Sequence, residues 1–182
     1  MSKSKVKILC RMAVLAALYA LLTLVSIRAG NLRVTFASLP VAVCAVLFGP
    51  WQAAGVAICG EFLNQMLTYG FTVTTVLWLI PPAVRGLCIG YAALACRKTE
   101  RALEYRPVTY YAVFLLAALV TTVCNTAVIW VDSKLLGYYS FAYVFGDFML
   151  RTFTGVVTAA VIATVSLPLV TLLRRQKLAG NV

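Results

Sequence analysis

Four ionisable residues stand inside runs apolar enough to cross a bilayer: Glu61, Arg85, Asp147 and Arg151. Three amides accompany them, Asn64, Gln65 and Asn125. A charge in hydrocarbon costs at least a few kcal/mol, so residues of this kind are rare and are functional by default. Two chemistries are open to the set. As ion pairs, Glu61 with Arg85 and Asp147 with Arg151 (four apart on one helix face), they would hold helices together. As pocket walls they would bind a polar ligand, with Asn64 and Asn125 hydrogen-bonding ring edges through both donor and acceptor. Catalysis is poorly served. The chain has no histidine, which removes the commonest general base and the HExxH metalloprotease signature together. Its six cysteines are scattered singly with no CxxC pair, so neither a thiolate metal site nor a disulfide framework is expected. No GxxxxGK[ST] phosphate loop occurs. No metal and no cofactor is expected.

These residues need a scaffold, and composition names it. The 182 residues are 63% hydrophobic with a mean hydropathy of +0.95, whereas a soluble domain is about half apolar. The expectation is an all-α integral membrane protein. The opening MSKSKVKILCRMAVLAALYALLTLVSI has a basic head, but its apolar run is too long for a signal peptide core. No small-residue cleavage site follows it, so it is expected to stay as a first helix. Six apolar stretches follow one another at about 8–26, 36–49, 51–69, 74–96, 108–131 and 142–173, a single transmembrane domain over 1–182. The second is short for a span and is split from the third by Gly49-Pro50, a turn with proline opening the next helix. Pro168 is placed to end or kink the sixth.

The net charge of +11 does not point to nucleic acid, because the basic residues lie at the chain ends and in one loop. Lys3, Lys5, Lys7 and Arg11, then Arg97, Lys98, Arg101 and Arg106, then Arg174, Arg175 and Lys177 all fall on one side of a six-helix bundle. By the positive-inside rule that side, with both termini, is cytoplasmic. At 1.5 Å per residue, Arg85 lies about 13 Å, Glu61 about 12 Å and Asn125 about 9 Å below the outer ends of their helices. Asp147 and Arg151 are read at similar depth. The buried polar residues thus sit in the outer half, with almost purely apolar helix beneath. A pore or proton relay needs polar groups through the whole thickness; an outward-opening pocket sealed below needs this asymmetry.

The outer loops add Arg28 and Arg33 in SIRAGNLRVTF, where Gly30-Asn31 offers a turn and Leu32, Val34 and Phe36 alternate as a short extended lid would. Most aromatics at that end read as an interfacial belt, but Phe36 and Trp78 are placed to stack on a flat ligand. Arginines, aromatics, carboxylates and amides together suit a small planar molecule with an acidic tail. In the first helix, Ala13 and Ala17, then Ala16 and Ala20, make overlapping AxxxA spacings that allow another helix to approach closely. Gly86 and Gly90 repeat that spacing in the fourth, for packing within the bundle.

Taken in order, these pieces resemble the substrate-binding S components of energy-coupling factor (ECF) vitamin transporters, especially the folate-type group. The resemblance covers nearly the whole chain. It rests on the alanine-spaced first helix, on SIRAGNLRVTFASLPVAVCAVLFGP with its arginine-glycine lid and short helix ending in FGP, on RGLCIG, on CNTAVIW, and on LLGYYSF leading to the helix of Arg151. It implies a six-helix bundle with an outward-facing vitamin site closed by the loop after the first helix. The alanine face would dock on a transmembrane coupling subunit joined to two ATPases, and the chain itself would be no enzyme. Arg28 would meet a ligand carboxylate as the lid closes, and Asn31 belongs to the same lid. Arg85 and Arg151 would anchor polar groups deeper down, oriented by Glu61 and Asp147. Two departures border the pocket: Glu61 with Asn64-Gln65 where the folate group tends to have an aspartate, and a short LTYGFTVTT loop without the expected Pro-Gly-Phe. They leave the ligand open.

Two other classes compete. A membrane-embedded enzyme acting on lipid or a small substrate would have only Glu61 and Asp147 as acid–base groups in the membrane and no nucleophile motif. A structural membrane subunit would place polar residues at helix contacts at all depths.

Overall fold

The structure, a computed structural model, describes the backbone of residues 3–25, 27–29, 32–98 and 102–179, and the side chains over 6–25, 35–98 and 102–176. It is a bundle of six principal helices with a small hairpin. α1 spans Lys3–Leu24, α2 Ser38–Phe48 and α3 Pro50–Thr68. The short α4, Thr75–Trp78, leads after one residue into α5, Ile80–Lys98. α6 covers Pro107–Leu135, the short α7 Phe141–Phe145, and α8 Phe148–Ala179. Between α1 and α2, β1 (Ile27–Ala29) pairs antiparallel with β2 (Leu32–Val34), Arg28 opposite Arg33. Four segments are long and apolar enough to cross a membrane: Val6–Leu24, Thr75–Lys98, Pro107–Leu135 and Phe141–Gln176. The chain is an integral membrane protein, and among the described residues its regular structure is helical except for the hairpin.

Local chemistry explains the breaks. The stretch read as one helix over 74–96 is interrupted at Leu79, just before Pro81-Pro82, whose nitrogens cannot donate to the preceding turn. The stretch over 142–173 divides at Gly146-Asp147. Pro168 lies inside α8 and does not end it. Gly49 takes φ +109° between α2 and α3, a conformation costly for any residue with a Cβ, and Pro50 opens α3 where a missing N–H costs nothing.

Packing is tightest where glycines remove side chains. A Cβ on Gly86 would stand 3.1 Å from the Ala53 backbone, and one on Gly90 would come within 2.7 Å of the Pro50 nitrogen, so α5 lies against the backbone of α3. A Cβ on Gly60 would strike the Tyr19 ring at 2.6 Å, and one on Gly55 would strike Met12 at 2.6 Å, so α1 lies equally close to the other side of α3. α2 is enclosed by α1, α3, α5 and α8. Its residues from Val41 to Val46 are all buried, which is why its sequence is apolar on every side.

One end of the bundle is tied by charge. Arg97 of α5 donates to the carbonyls of Val46 and, at 3.0 Å, Leu47, at the C-terminal end of α2 where carbonyls lack helical partners. Arg174 Nη1 stands 2.6 Å from the Oε1 of the fully buried Glu104 side chain, an ion pair without hydrogen-bond geometry. Tyr110 and Ser166 share a buried hydrogen bond of 2.7 Å, and Arg11 lies over the Phe48 ring at 5.6 Å.

Candidate functional site

The opposite half of the bundle holds a cavity of about 400 Å³, within the range of small-molecule sites. Its lower wall is apolar: Ile89, Phe114 and Ile162 line it and are nearly fully buried. Phe114 in turn stacks on Tyr110 with ring centroids 4.6 Å apart. The N-terminal half of α2 contributes Ser38 and Ala42, and the segment leading out of the hairpin contributes Thr35 and Ala37.

The remaining wall is polar, and each helix contributes a characteristic group. On α3, Glu61 is surrounded by donors: Tyr19 Oη reaches its Oε2 at 2.7 Å, while Asn64 Nδ2 and Gln65 Nε2 reach its Oε1 at 3.0 and 2.8 Å. Asn64 and Gln65 follow Glu61 by three and four residues, the spacing that brings helical side chains together. On α5, Arg85 donates from Nε to Thr121 at 3.4 Å and from Nη1 to Ser38, joining three helices. On α8, Arg151 donates from Nη2 to the Val144 carbonyl of α7, and its buried Nε has no acceptor. Asn125 of α6 and Trp78 of α4 also face the cavity.

The Glu61–Arg85 ion pair, one of the two chemistries the sequence left open, does not form. Hydroxyl and amide groups satisfy both partners instead, at less desolvation cost than bringing two ions together in an apolar bundle. The other acid, Asp147, is exposed at the α7–α8 junction, where its carbonyl accepts from the Arg151 N–H at 2.8 Å. It does not line the cavity. The break before α8 raises it out of the helix that was expected to bury it.

Of the residues singled out by sequence, the cavity therefore gathers Glu61, Trp78, Arg85, Asn125 and Arg151. Asn64 is buried behind Glu61. Phe36, half-buried at the bend before α2, is not on the wall. Asn31 and the side chain of Arg28 lie outside the described residues. The alanines of α1 divide: Ala16 and Ala20 are buried in the chain's own core, while Ala13 and Ala17 are exposed. The two AxxxA rows are offset by three residues around the helix, and α3 covers one of them.

Sequence reasoning overlooked the hydroxyls. Thr121, Thr122, Thr154 and Thr158 all line the cavity. Thr121, Thr122 and Thr154 donate to the carbonyl four residues back, at 2.6, 2.9 and 2.7 Å. Each keeps its acceptor lone pairs for something else; Thr121 uses one for Arg85. The signal was present in α8, where Arg151, Thr154, Gly155, Thr158 and Ile162 recur at three- and four-residue steps along one face.

The model of the family described as the S component of ECF-type riboflavin transporters matches residues 3–175. Among solved structures, the S component of a bacterial ECF transporter shares the fold with a TM-score of 0.62 and 17% identity, covering 96% of this chain and 97% of that one. Among curated proteins none matches. A family match over nearly the whole length, on a helical bundle with a cavity, makes the chain a transporter's substrate-binding component and not an enzyme: it belongs to the family of ECF-type riboflavin transporter S components.

Proposed function

We propose that the chain captures a flat, heterocyclic, water-soluble vitamin or precursor, with a flavin ring favoured, and presents it for import. One observation carries this reading: a cavity of about 400 Å³ closed below by apolar side chains and lined above by hydroxyl and amide groups. Trp78 and Phe114 offer aromatic faces. The threonines, already donating to their own helices, offer acceptors to ring N–H or side-chain O–H groups, and Asn125 offers both a donor and an acceptor. The family description names riboflavin, a molecule of that kind. A folate-like ligand is the second reading, favoured by the two arginines on the wall, which suit a carboxylate.

Thr35 and Ala37, just after the hairpin, line the cavity, which supports an opening at that end; the end holding Arg97, Glu104 and Arg174 would then face the cytoplasm of a prokaryotic cell, a reading supported by the clustering of Lys and Arg there. Import requires a coupling subunit and two ATPases, since the sequence has no phosphate loop of its own. The exposed row of Ala13 and Ala17 is the face offered to the coupling subunit. Ligand-induced thermal stabilisation of the detergent-solubilised protein tests the reading. Riboflavin or folate at about 100 times its dissociation constant should add about 2.7 kcal/mol. Folded protein that shifts with neither compound, nor with other vitamins, would overturn it.

A further inference from the structure

The charged residues on the cavity wall do not balance. Among the described residues they are Arg85, Arg151 and Glu61, two positive and one negative. Among the described residues neither guanidinium has a carboxylate partner: Arg85 is held by Ser38 and Thr121, and Arg151 by a backbone carbonyl. Glu61 is committed elsewhere, with three donors from Tyr19, Asn64 and Gln65 on its two oxygens. An uncompensated cation in an apolar bundle is costly, and whatever neutralises it binds the better for it.

The two arginines are not equivalent. Arg85 is fastened at Nε and Nη1 to α6 and α2, so its charge serves the joint between three helices. Arg151 is fastened at one nitrogen, and its Nε is a buried donor without an acceptor. A charged N–H left unsatisfied in the interior gains more from an incoming acceptor than one already bonded. Thr154, one turn along α8, and Asn125 on α6 share its wall.

We propose that Arg151 receives an acidic group of the ligand, one carboxylate or one phosphate, while Arg85 is a tie within the wall and does not read that group. The inference rests on the vitamin-binding reading and adds that the preferred ligand is anionic, where riboflavin itself is neutral. It also moves the acid-binding role from the lid arginine, Arg28, to α8.

Two matched pairs of probes test it: riboflavin with riboflavin 5′-phosphate, and 6-hydroxymethylpterin with pterin-6-carboxylate. Dissociation constants are measured by calorimetry on the solubilised full chain, with Arg151→Gln, Arg151→Lys and Arg85→Met beside the parent, each variant first shown to be folded by its melting transition. The parent should bind the acidic member of at least one pair about tenfold or more tightly than the neutral member, the scale of one charge-assisted hydrogen bond. Preference for the flavin phosphate alone identifies a phosphate, and preference for the pterin carboxylate alone a carboxylate. Arg151→Gln should bring the ratio near one, Arg151→Lys should restore part of it, and Arg85→Met should keep the ratio even where both affinities fall. Equal binding of neutral and acidic members by the parent overturns the proposal and leaves the vitamin reading standing. So does an acid preference that survives Arg151→Gln or disappears in Arg85→Met. Binding of no probe by folded parent protein counts against the vitamin reading and ends this inference with it.

Discussion

The two ends of the bundle use the same polar residue types for opposite purposes. At the Arg97 end, charge closes the structure: Arg97 completes the carbonyls of α2, and Arg174 neutralises a glutamate with no solvent exposure. At the cavity end, charge is held by neutral partners, and one guanidinium nitrogen is left without any. The first arrangement balances charge within the chain. The second leaves the balance to something that arrives. A polar residue in a membrane helix is therefore informative according to what satisfies it, and depth alone does not tell glue from site.

The sharpest way to break this comparison is to remove one partner at the closed end. Arg174→Met leaves Glu104 buried and unpaired, and should cost about 3 kcal/mol or more, read as a large drop in melting temperature with ligand affinity of the surviving folded protein unchanged. Equal loss of affinity would mean that the ends are energetically one unit. Next in size is a pair of glycine substitutions. Gly90→Ala drives a methyl into the Pro50 backbone and should cost about 1–3 kcal/mol. Gly155→Ala, beside the cavity, meets only the Thr122 hydroxyl at 3.1 Å and should cost less than about 1 kcal/mol. Melting curves of the two variants side by side decide it; a Gly155 variant as damaged as the Gly90 one would show the cavity end to be as tightly packed.

Glu61→Gln sharpens the comparison from within the site. The amide presents one acceptor to donors that now share two oxygens, so stability should fall by about 1–2 kcal/mol, and ligand affinity should change as Tyr19 reorients. Unchanged melting and unchanged affinity would show that those hydrogen bonds carry nothing. The smallest effect lies outside the membrane segments. Tyr138 donates to Asp132, and the Tyr138 phenol is pushed up to about 12, first by that hydrogen bond and then by burial. An unfolded tyrosine titrates near about 10, so the stability gained from the protonated phenol is present below that value and is lost as pH rises from there through the folded value. Ultraviolet titration of the parent against Tyr138→Phe should reveal one late phenol; its absence would remove the pairing.

How much of this was legible in the sequence depends on the range of the interaction. Hydropathy marks the helices because burial in lipid acts on every residue of a span. Four polar residues that line the cavity, Arg85, Arg151, Glu61 and Asn125, stood out because polarity is conspicuous against Leu, Val and Ala. Threonines did not stand out: a hydroxyl that bonds its own helix is cheap in an apolar run. Asp147 was misjudged because Gly146 allows a break that periodicity cannot reveal, and Ala16 and Ala20 because two alanine rows on one helix look alike until a neighbour covers one. Partnering was the least legible of all. Oppositely charged residues at matching depths suggest a pair, but the competitors that win here, Ser38 and Thr121 for Arg85 and Tyr19 for Glu61, lie 36 to 47 residues away in the chain.

The length of α2 has a consequence for the existence of the site. Its 11 residues rise about 16 Å, roughly half the hydrocarbon thickness of about 30 Å. The Arg97 guanidinium fastens its lower end, so the shortfall falls entirely at the upper end, where Ser38 and Ala42 meet the cavity. A bundle of full-length helices would fill that volume with side chains. The vacancy is two or three missing turns of one helix, kept open by four longer neighbours, and its depth is fixed by where a chain segment begins. Chains that start this helix one turn earlier or later would hold shallower or deeper ligands on the same scaffold, with no change to the joints below.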